Sequence, residues 1–379
     1  MDIAPFEIAV AESALTDLRA RLRRARLTDP SDAEPWRAGA DPHYLRDLIA
    51  SWAAFDWRRH ERELNELPHY VTAIDGRSLH FLHFRSVPSA GGQRAFAVIL
   101  NHGWPSSFIE MLPVAHRLAD PGSFGRDPRD AVDVVVPSLP GFLYSELPVE
   151  PLTREAIAKE LHALMTDILG FERYAASGGD IGGAATAWMG ALYPDAVAGV
   201  HMIHPPVPST FDPPPTAAEQ AFLDAEEAYD ERDSGYSWIM GTRPDTIAAA
   251  LIDSPVGLAA WIVDKYRDWS DCDGDVERRF DRETLLRILT LYWATGSIGS
   301  SFRSYYDYER NRPRPPITVP AAFTLSTEPV MANFPRSLAE RACTDIRRWS
   351  EPGRGGHFLP LEEPDLITTE LTEFIRQVR

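Results

Sequence analysis

Near the middle of the chain the sequence reads Tyr174-Ala175-Ala176-Ser177-Gly178-Gly179-Asp180-Ile181-Gly182-Gly183. Its first four residues form a short apolar run typical of a buried strand, and the helix-compatible stretch 184–192 follows. Small residues flank Asp180 on both sides, which is the pattern of a tight strand-to-helix turn that holds a nucleophile above a sheet edge. The alternative is a glycine-rich turn in which Asp180 only caps a helix.

A carboxylate at the centre of this turn restricts the chemistry. If it attacked an ester or an amide it would form an anhydride, which is a poor intermediate. If it attacks a saturated carbon it forms an ordinary ester, which water can hydrolyse. Epoxides and alkyl halides are suitable electrophiles. Because the chain contains no Gly-x-Ser-x-Gly, we predict that Asp180 is the nucleophile.

Apolar runs alternate with helical patterns on both sides of this turn. A helix is predicted from Thr153, a good N-cap, to Leu169, with Gly170 as its stop, and residues 72–84 predict two strands around the Asp75-Gly76 turn. The other strand-like runs are 96–101, 132–136, 197–203, 317–323 and 346–349. This rhythm predicts a mostly parallel α/β sheet with right-handed crossovers.

Two stretches depart from the rhythm. The first, up to Pro68, has leucines at helical spacing and is predicted to be helical. The second begins with a proline-rich segment near Pro205 and continues as a helical, aromatic-rich stretch to Tyr308. We therefore expect one α/β core with a helical insertion between two of its strands.

Composition excludes several classes of protein. The chain has 379 residues and a formal net charge of −18, and a surface of this sign repels nucleic acid and anionic lipid headgroups. Its two cysteines, Cys272 and Cys343, form neither a disulfide framework nor a C-x-x-C metal pair. The opening residues lack the pattern of a secretory signal, and no long apolar run predicts a membrane span. We expect a cytoplasmic protein that needs no metal and no organic cofactor.

The motif His102-Gly103-Trp104-Pro105 directly follows the strand-like run 96–101. A loop at this place can direct the backbone N–H of Trp104 at the same point as that of Ile181, the residue after the nucleophile. Two such donors would stabilise the oxyanion that forms when water attacks the ester. The alternative is a Gly-Pro turn that merely ends the strand. His102 lies within the motif, where we expect a supporting role rather than catalysis.

A base and its orienting acid are predicted further along the chain. Arg354-Gly355-Gly356-His357-Phe358 follows the last strand, so His357 follows the chain order nucleophile, acid, base. Glu328 is the one acidic residue between 310 and 339 and would orient this histidine. The alternatives are an ordinary surface or core histidine and a solvated carboxylate. His80, His83 and His204 stand in no comparable motif.

Together these motifs resemble the microsomal-type epoxide hydrolase family, which includes the juvenile-hormone epoxide hydrolases. The similarity spans nearly the whole chain. Besides the nucleophile, oxyanion and base motifs, it rests on Phe6-Glu7-Ile8, Leu15/Leu18/Leu22, Tyr44-Leu45 to Trp57, Leu64-Asn65, Pro68-His69-Tyr70, Asp233-Ser234-Gly235-Tyr236, Asp253 to Ala260, Tyr292 to Gly296 and Ser300 to Tyr305.

The resemblance implies an α/β-hydrolase fold with a mostly parallel central sheet, a helical cap inserted between core strands and an N-terminal helical extension. The implied segments are 1–68 for the extension, 69–205 and 310–379 for the core, and 206–309 for the cap. The family uses two cap tyrosines, which fall on Tyr236 and Tyr305, to hold and protonate the epoxide oxygen. A phenol with a pKa of about 10 can donate at neutral pH. The alternative is that both tyrosines are amphipathic cap aromatics.

Two positions depart from the family pattern. Ile181 replaces the tryptophan that commonly follows the nucleophile, so the pocket wall is smaller and aliphatic there. The acid loop reads Ser326-Thr327-Glu328-Pro329 rather than Phe-Pro-x-Glu and aligns with a one-residue gap. The membrane anchor of some relatives is missing, so a soluble protein is expected.

The expected activity is hydrolysis of an epoxide to a vicinal diol through a covalent ester on Asp180. We expect a small apolar or aromatic epoxide as the partner, and a homodimer is one candidate assembly. The alternatives are a haloalkane dehalogenase and a catalytically silent binding protein. The physiological substrate and pathway stay open. The predicted substrate-binding residues are Trp104, Pro105, Ile181 and Trp238.

Overall fold

The computed structural model describes residues 3–86 and 95–379. The strands within these residues are β1 (Ala4–Pro5), β2 (His69–Ile74), β3 (Arg77–Phe84), β4 (Ala97–Asn101), β5 (Asp133–Pro137), β6 (Tyr174–Gly178), β7 (Val197–Met202), β8 (Ala321–Thr324) and β9 (Ile346–Ser350). They form one nine-stranded sheet in the order β1-β2-β3-β5-β4-β6-β7-β8-β9. The strands from β5 to β9 in this order are parallel, while β1, β2 and β3 pair antiparallel at one edge.

Helices surround this sheet on both sides and cover one of its ends. In the described residues the α-helices are α1 (Glu12–Arg23), α2 (Pro42–Ala53), α3 (Trp57–Asn65), α4 (Phe108–Ala119), α5 (Arg154–Ala163), α6 (Asp180–Leu192), α7 (Ala217–Asp233), α8 (Gly235–Thr242), α9 (Pro244–Asp253), α10 (Pro255–Trp269), α11 (Arg282–Thr295), α12 (Ile298–Ser301), α13 (Arg303–Tyr306), α14 (Arg336–Ala342), α15 (Leu359–Glu362) and α16 (Pro364–Val378). The prediction of an α/β protein with a mostly parallel sheet is confirmed.

The sheet is covered by a helical layer on each face. A Cβ added at Gly199 of β7 would lie 2.6 Å from Phe374 of α16, whereas Val200, the next residue, lies 2.8 Å from the Cβ position of Gly190 in α6. Because successive strand residues point to opposite faces, α16 and α6 lie on opposite sides of the sheet. Glycine at positions 190 and 199 allows this close packing. The apolar strands between the layers are fully buried.

Local sequence explains where the individual helices begin. Thr153 caps α5 by accepting a hydrogen bond from the N–H of Ala156, as its position predicted. The predicted helix 153–169 is α5 followed by one π turn over Leu164–Ile168. In α7, Thr216 and Glu219 form a reciprocal capping box. This start fixes where the chain becomes helical after the proline-rich segment.

The helices α7 to α13 lie between β7 and β8 in the chain, and we call them the cap. They correspond to the helical insertion that the sequence predicts. The bounds of the four predicted segments remain predictions. Residues 1–2 of the segment 1–68 and residues 87–94 of the segment 69–205 lie outside the described part of the chain.

Two elements differ from the sequence prediction. The N-terminal segment contains α1, α2 and α3, but it also contributes β1, which pairs with β2 through Ala4 and Val71. A two-residue strand is too short to produce a periodic pattern. The strand predicted at 317–323 starts only at Ala321, because Pro320 has no N–H for the ladder, and Ile317 forms just an isolated bridge to Cys343.

Candidate active site

The turn between β6 and α6 presents Asp180 at the carboxyl end of the sheet. Asp180 has a φ of +50°, a conformation that side-chain-bearing residues rarely adopt. A Cβ at Gly178 would lie 2.6 Å from the backbone of Gly182, and one at Gly182 would lie 2.2 Å from the carbonyl oxygen of Asn101. Glycine is therefore required on both sides of Asp180, as the predicted turn demands.

The loop after β4 contacts the carboxylate of Asp180 directly. The backbone N–H of Trp104 donates a hydrogen bond of 2.8 Å to Oδ1 of Asp180. Gly103 makes this approach possible, because a Cβ there would lie 2.6 Å from the Cβ of Asp180. Ile181 is in the first turn of α6, where backbone N–H groups have no partner within the helix. The residues predicted to supply the two oxyanion donors therefore both lie beside the nucleophile.

His357 and Glu328 meet in the loops after β8 and β9. The Nδ1 of His357 donates to Oε2 of Glu328 at 2.9 Å, and both side chains are buried. The same Oε2 lies 3.1 Å from Nε2 of His204, whose Nδ1 accepts a 3.3 Å hydrogen bond from the N–H of Asp180. The carboxylate predicted to orient the base therefore lies within hydrogen-bond distance of it.

The charges in this cluster shift the pKa values of both groups. Burial alone would lower the pKa of His357, but the carboxylate of Glu328, followed by Asp180 and Glu110, raises it to about 9. Burial alone would raise the pKa of Glu328, but His357 and His204 hold it well below its usual range. Glu328 is therefore ionised and His357 is a cation at neutral pH while Asp180 carries its charge.

Two cap tyrosines lie above the nucleophile. The ring of Tyr236 stacks on that of Trp104, with centroids 5.5 Å apart, and lies 6.1 Å from the ring of Tyr305. Burial, followed by the charge of Asp180, raises the pKa of both phenols, which keeps both protonated. Tyr306 and Tyr308 are 47% and 60% exposed, so Tyr305 is the tyrosine of this segment that faces the site.

A cavity of about 330 Å³ lies between the core and the cap. Its walls combine the predicted catalytic groups with cap residues, and they include Asp180, His204, Tyr229, Tyr236, Trp269, Glu328 and His357. Three acidic side chains of α7, Glu226, Asp230 and Asp233, also line it. The structure therefore brings the predicted nucleophile, acid and base, with Tyr236, around one space.

The predicted substrate-binding residues divide into two groups. Trp104, Pro105 and Ile181 are buried beside the nucleophile, behind the surface that lines the cavity. Trp238 is 66% exposed and does not line the cavity, so the structure gives its predicted role no support and that role stays a prediction. Tyr236 and Trp238 are two positions apart on a helix and therefore point in different directions. Trp269, at the end of α10, lines the cavity instead.

Known proteins resemble the chain along nearly its whole length. A family model for the epoxide hydrolase N terminus matches residues 3–111, and one for the alpha/beta hydrolase fold matches residues 97–235. A Stigmatella aurantiaca (strain DW4/3-1) protein that carries the epoxide hydrolase name provisionally is 37% identical, over 100% of this chain and 86% of that protein. Epoxide hydrolase 1 of Sus scrofa is 30% identical, over 98% and 88% of the two chains. The chain belongs to the epoxide hydrolase family.

The fold of this epoxide hydrolase agrees with a solved structure from the same family. The crystal structure of juvenile hormone epoxide hydrolase from Bombyx mori superposes with a TM-score of 0.90 at 25% identity. The match covers 100% of this chain and 95% of that one. The predictions of an α/β-hydrolase fold and of the epoxide hydrolase family are therefore confirmed.

Sequence reasoning missed two groups in the site of this epoxide hydrolase. His204 stands in no recognisable sequence motif, yet it contacts both the Asp180 turn and Glu328. Its position directly after β7, at the carboxyl end of the strand beside β6, was the available signal. Glu110 of α4 is buried, and burial raises its pKa to about 7, while hydrogen bonds from Ser106 and the N–H of Gly103 act to lower it.

The side chains of His204, Glu328 and His357 offer ligand atoms within 4.8 Å of one another, which is a geometry that could hold a metal ion. Those atoms already hydrogen bond to one another, with Glu328 accepting from both histidines. The polar atoms of these three side chains therefore satisfy one another.

Within residues 3–86 and 95–379, no individual helix combines the length and apolar character needed to cross a bilayer. Among these residues, only the consecutive helices α9 and α10 have the required length and apolar character when they are taken together, and they are bent by 116° to each other.

Proposed function

We propose that this epoxide hydrolase opens its substrate with Asp180, through a hydroxyalkyl ester, and releases a vicinal diol. The observation that carries the proposal is the 2.8 Å hydrogen bond from the N–H of Trp104 to Oδ1 of Asp180. With Oδ1 engaged, Oδ2 is the oxygen available for attack. Oδ1 then becomes the carbonyl oxygen of the ester. It already accepts the hydrogen bond from Trp104 that would stabilise the oxyanion formed when water attacks the ester.

In the first step, Oδ2 of Asp180 attacks a ring carbon of the epoxide. The carbon–oxygen bond of the ring breaks, and its electron pair moves to the epoxide oxygen. Tyr236 and Tyr305 hydrogen bond this oxygen, and one of them transfers its proton to it. Both phenols are available as donors, because burial and Asp180 raise their pKa values.

In the second step, His357 removes a proton from water. Esterification removes the negative charge of Asp180, which is one of the charges that raise the pKa of His357. The ester therefore lowers the pKa of His357 from about 9, so that His357 releases its proton to solvent and becomes a base when a base is needed. It takes a proton from solvent again once Asp180 regains its charge. Glu328 stabilises the imidazolium that forms.

The attack of water on Cγ moves negative charge to Oδ1. The N–H groups of Trp104 and Ile181 stabilise this oxyanion. When the intermediate collapses, the bond from Cγ to Oδ2 breaks and the leaving alkoxide takes the proton from His357. The diol leaves with Oδ2, Asp180 keeps an oxygen from water, and the remaining proton returns to the tyrosine.

The cavity walls suit a small epoxide with an apolar or aryl substituent. Tyr229, Tyr236 and Trp269 offer ring surfaces on which such a substituent can pack. The acidic residues of α7 that line the cavity disfavour anionic substrates, because they repel like charge.

Accumulation of the ester tests the proposal. The variant His357→Gln should form the ester but hydrolyse it slowly, so excess styrene oxide should add the mass of one epoxide to the intact protein, on the peptide that contains Asp180. The exposed His43 offers the control His43→Gln, which should turn over like the unsubstituted chain.

Two outcomes would contradict the proposal. Tight epoxide binding with neither adduct nor diol, in folded unsubstituted protein, would indicate a binding protein. Chloride release from a chloroalkane, without diol from any epoxide tried, would indicate a dehalogenase.

A further inference from the structure

Lys265 of α10 lies next to the site although the reaction above does not use it. It is one of two lysines in the chain, and it is 5% exposed. Its ammonium lies over the ring of Tyr236, 5.0 Å from the centroid, and 5.4 Å from the ring centroid of Trp269. A buried cation therefore faces the ring of Tyr236, one of the two phenols that the proposed reaction assigns to the epoxide oxygen.

Two carboxylates hold this ammonium in place. Its Nζ lies 3.3 Å from Oδ1 of Asp233, at the end of α7, and 3.2 Å from Oδ2 of Asp264, its neighbour in α10. Asp233 also accepts a 3.4 Å hydrogen bond from the indole N–H of Trp269. Because Asp233 is three residues from Tyr236 in the chain, the ion pair fixes the segment that carries the phenol.

The charges around Tyr236 explain why a cation matters there. Burial first, and then Asp180, Glu328 and Asp233, raise its pKa, so each of these carboxylates opposes loss of the phenolic proton. Epoxide opening requires that a tyrosine give up its proton as the alkoxide forms, which leaves a negatively charged phenolate. Lys265 offsets Asp233 and places positive charge on the ring face, where charge of the phenolate would spread.

We propose that Lys265 is a positioning residue for epoxide opening that acts through Tyr236. It holds the Tyr236 ring in place and favours transfer of the phenolic proton to the epoxide oxygen. Tyr236 rather than Tyr305 is thereby the tyrosine that gives up its proton. This inference rests on the proposed function, since it needs an ester-forming step that is separate from ester hydrolysis.

The test measures the two steps separately in single turnovers of styrene oxide with enzyme in excess. Lys265→Met should slow ester formation about tenfold and leave ester hydrolysis unchanged. Lys265→Arg should restore most of the rate, because it keeps the charge. The other lysine, Lys159, forms a surface pair with Glu155, so Lys159→Met is the matched control and should change neither step.

Removing Lys265 alone leaves two partly buried carboxylates without a cation, which can destabilise the protein. The double variant Lys265→Met/Asp264→Asn removes one of these charges together with the cation. It should fold and show the same slow ester formation. Thermal unfolding of each variant checks this.

A double-mutant cycle identifies the tyrosine involved. Lys265→Met should add little to the loss caused by Tyr236→Phe, but it should keep its full effect in the Tyr305→Phe background. Equal effects in both backgrounds, an unchanged rate of ester formation, or an equal fall of both steps would overturn the inference while the proposed function stands. Absence of any ester in the unsubstituted chain would overturn both.

Discussion

The backbone N–H of Trp104 donates a 2.8 Å hydrogen bond to Oδ1 of Asp180, and Gly103 is what allows the two to approach. A Cβ at residue 103 would lie 2.7 Å from that oxygen. We therefore expect Gly103→Ala to displace the carboxylate from this donor and to slow hydrolysis of the ester by about a hundredfold, the usual effect of losing one oxyanion donor.

The rate of ester hydrolysis in single turnovers measures this effect. Gly235→Ala is the control, since a Cβ there has nothing within 4 Å. Circular dichroism should show that both variants fold. A folded Gly103→Ala variant with full activity would show that the carboxylate does not need this position.

The two cap tyrosines should both be needed for epoxide opening. Tyr236→Phe and Tyr305→Phe each remove one hydrogen-bond donor to the epoxide oxygen, and we expect about tenfold to hundredfold slower ester formation in each. The exposed neighbour Tyr306 provides the control Tyr306→Phe, which should be close to the unsubstituted chain. If Tyr306→Phe lost activity and Tyr305→Phe kept it, the assignment within this segment would be wrong.

The pKa of His357 should depend on both carboxylates beside it. Glu328 raises this pKa more than Asp180 does, and the two together help to bring it to about 9 despite burial. Glu328→Gln should therefore lower the pKa of His357 further than Asp180→Asn. Titration of ¹³C-labelled histidine by NMR would measure both shifts. A His357 pKa that Asp180→Asn leaves unchanged would contradict the proposed activation of the base by esterification.

Glu110 should make stability depend on pH. Burial raises its pKa in the folded protein to about 7 from about 4.5, so the folded state holds the proton more tightly than the unfolded state. Its contribution to stability is therefore lost as pH rises from about 4.5 to about 7.

The variant Glu110→Gln stays neutral and should avoid this loss. Its free energy of unfolding relative to the unsubstituted chain should rise across that range, by on the order of 3 kcal/mol. Urea unfolding at pH 4.5 to 8 measures the difference. A difference that does not change with pH would contradict the account.

Most of the site could be predicted because its residues occupy turns with strict local requirements. Asp180 lies between glycines that the turn needs, and His357 follows the last strand in a motif of small residues. Exposure in the cap could not be predicted, as Trp238 shows, because helix–helix packing decides which side of a short helix faces the core. His204 and Lys265 were missed since their roles come from contacts between distant segments, which no local pattern records.

The central claim is that a covalent ester forms on Asp180, and the most direct test is a single turnover of styrene oxide in ¹⁸O-labelled water with enzyme in excess. The account predicts unlabelled oxygen in the first diol and ¹⁸O in the peptide that contains Asp180, because water attacks Cγ and Oδ2 leaves with the product. Label that goes directly into the diol, with none on Asp180, would show that water attacks the epoxide itself and would contradict the account.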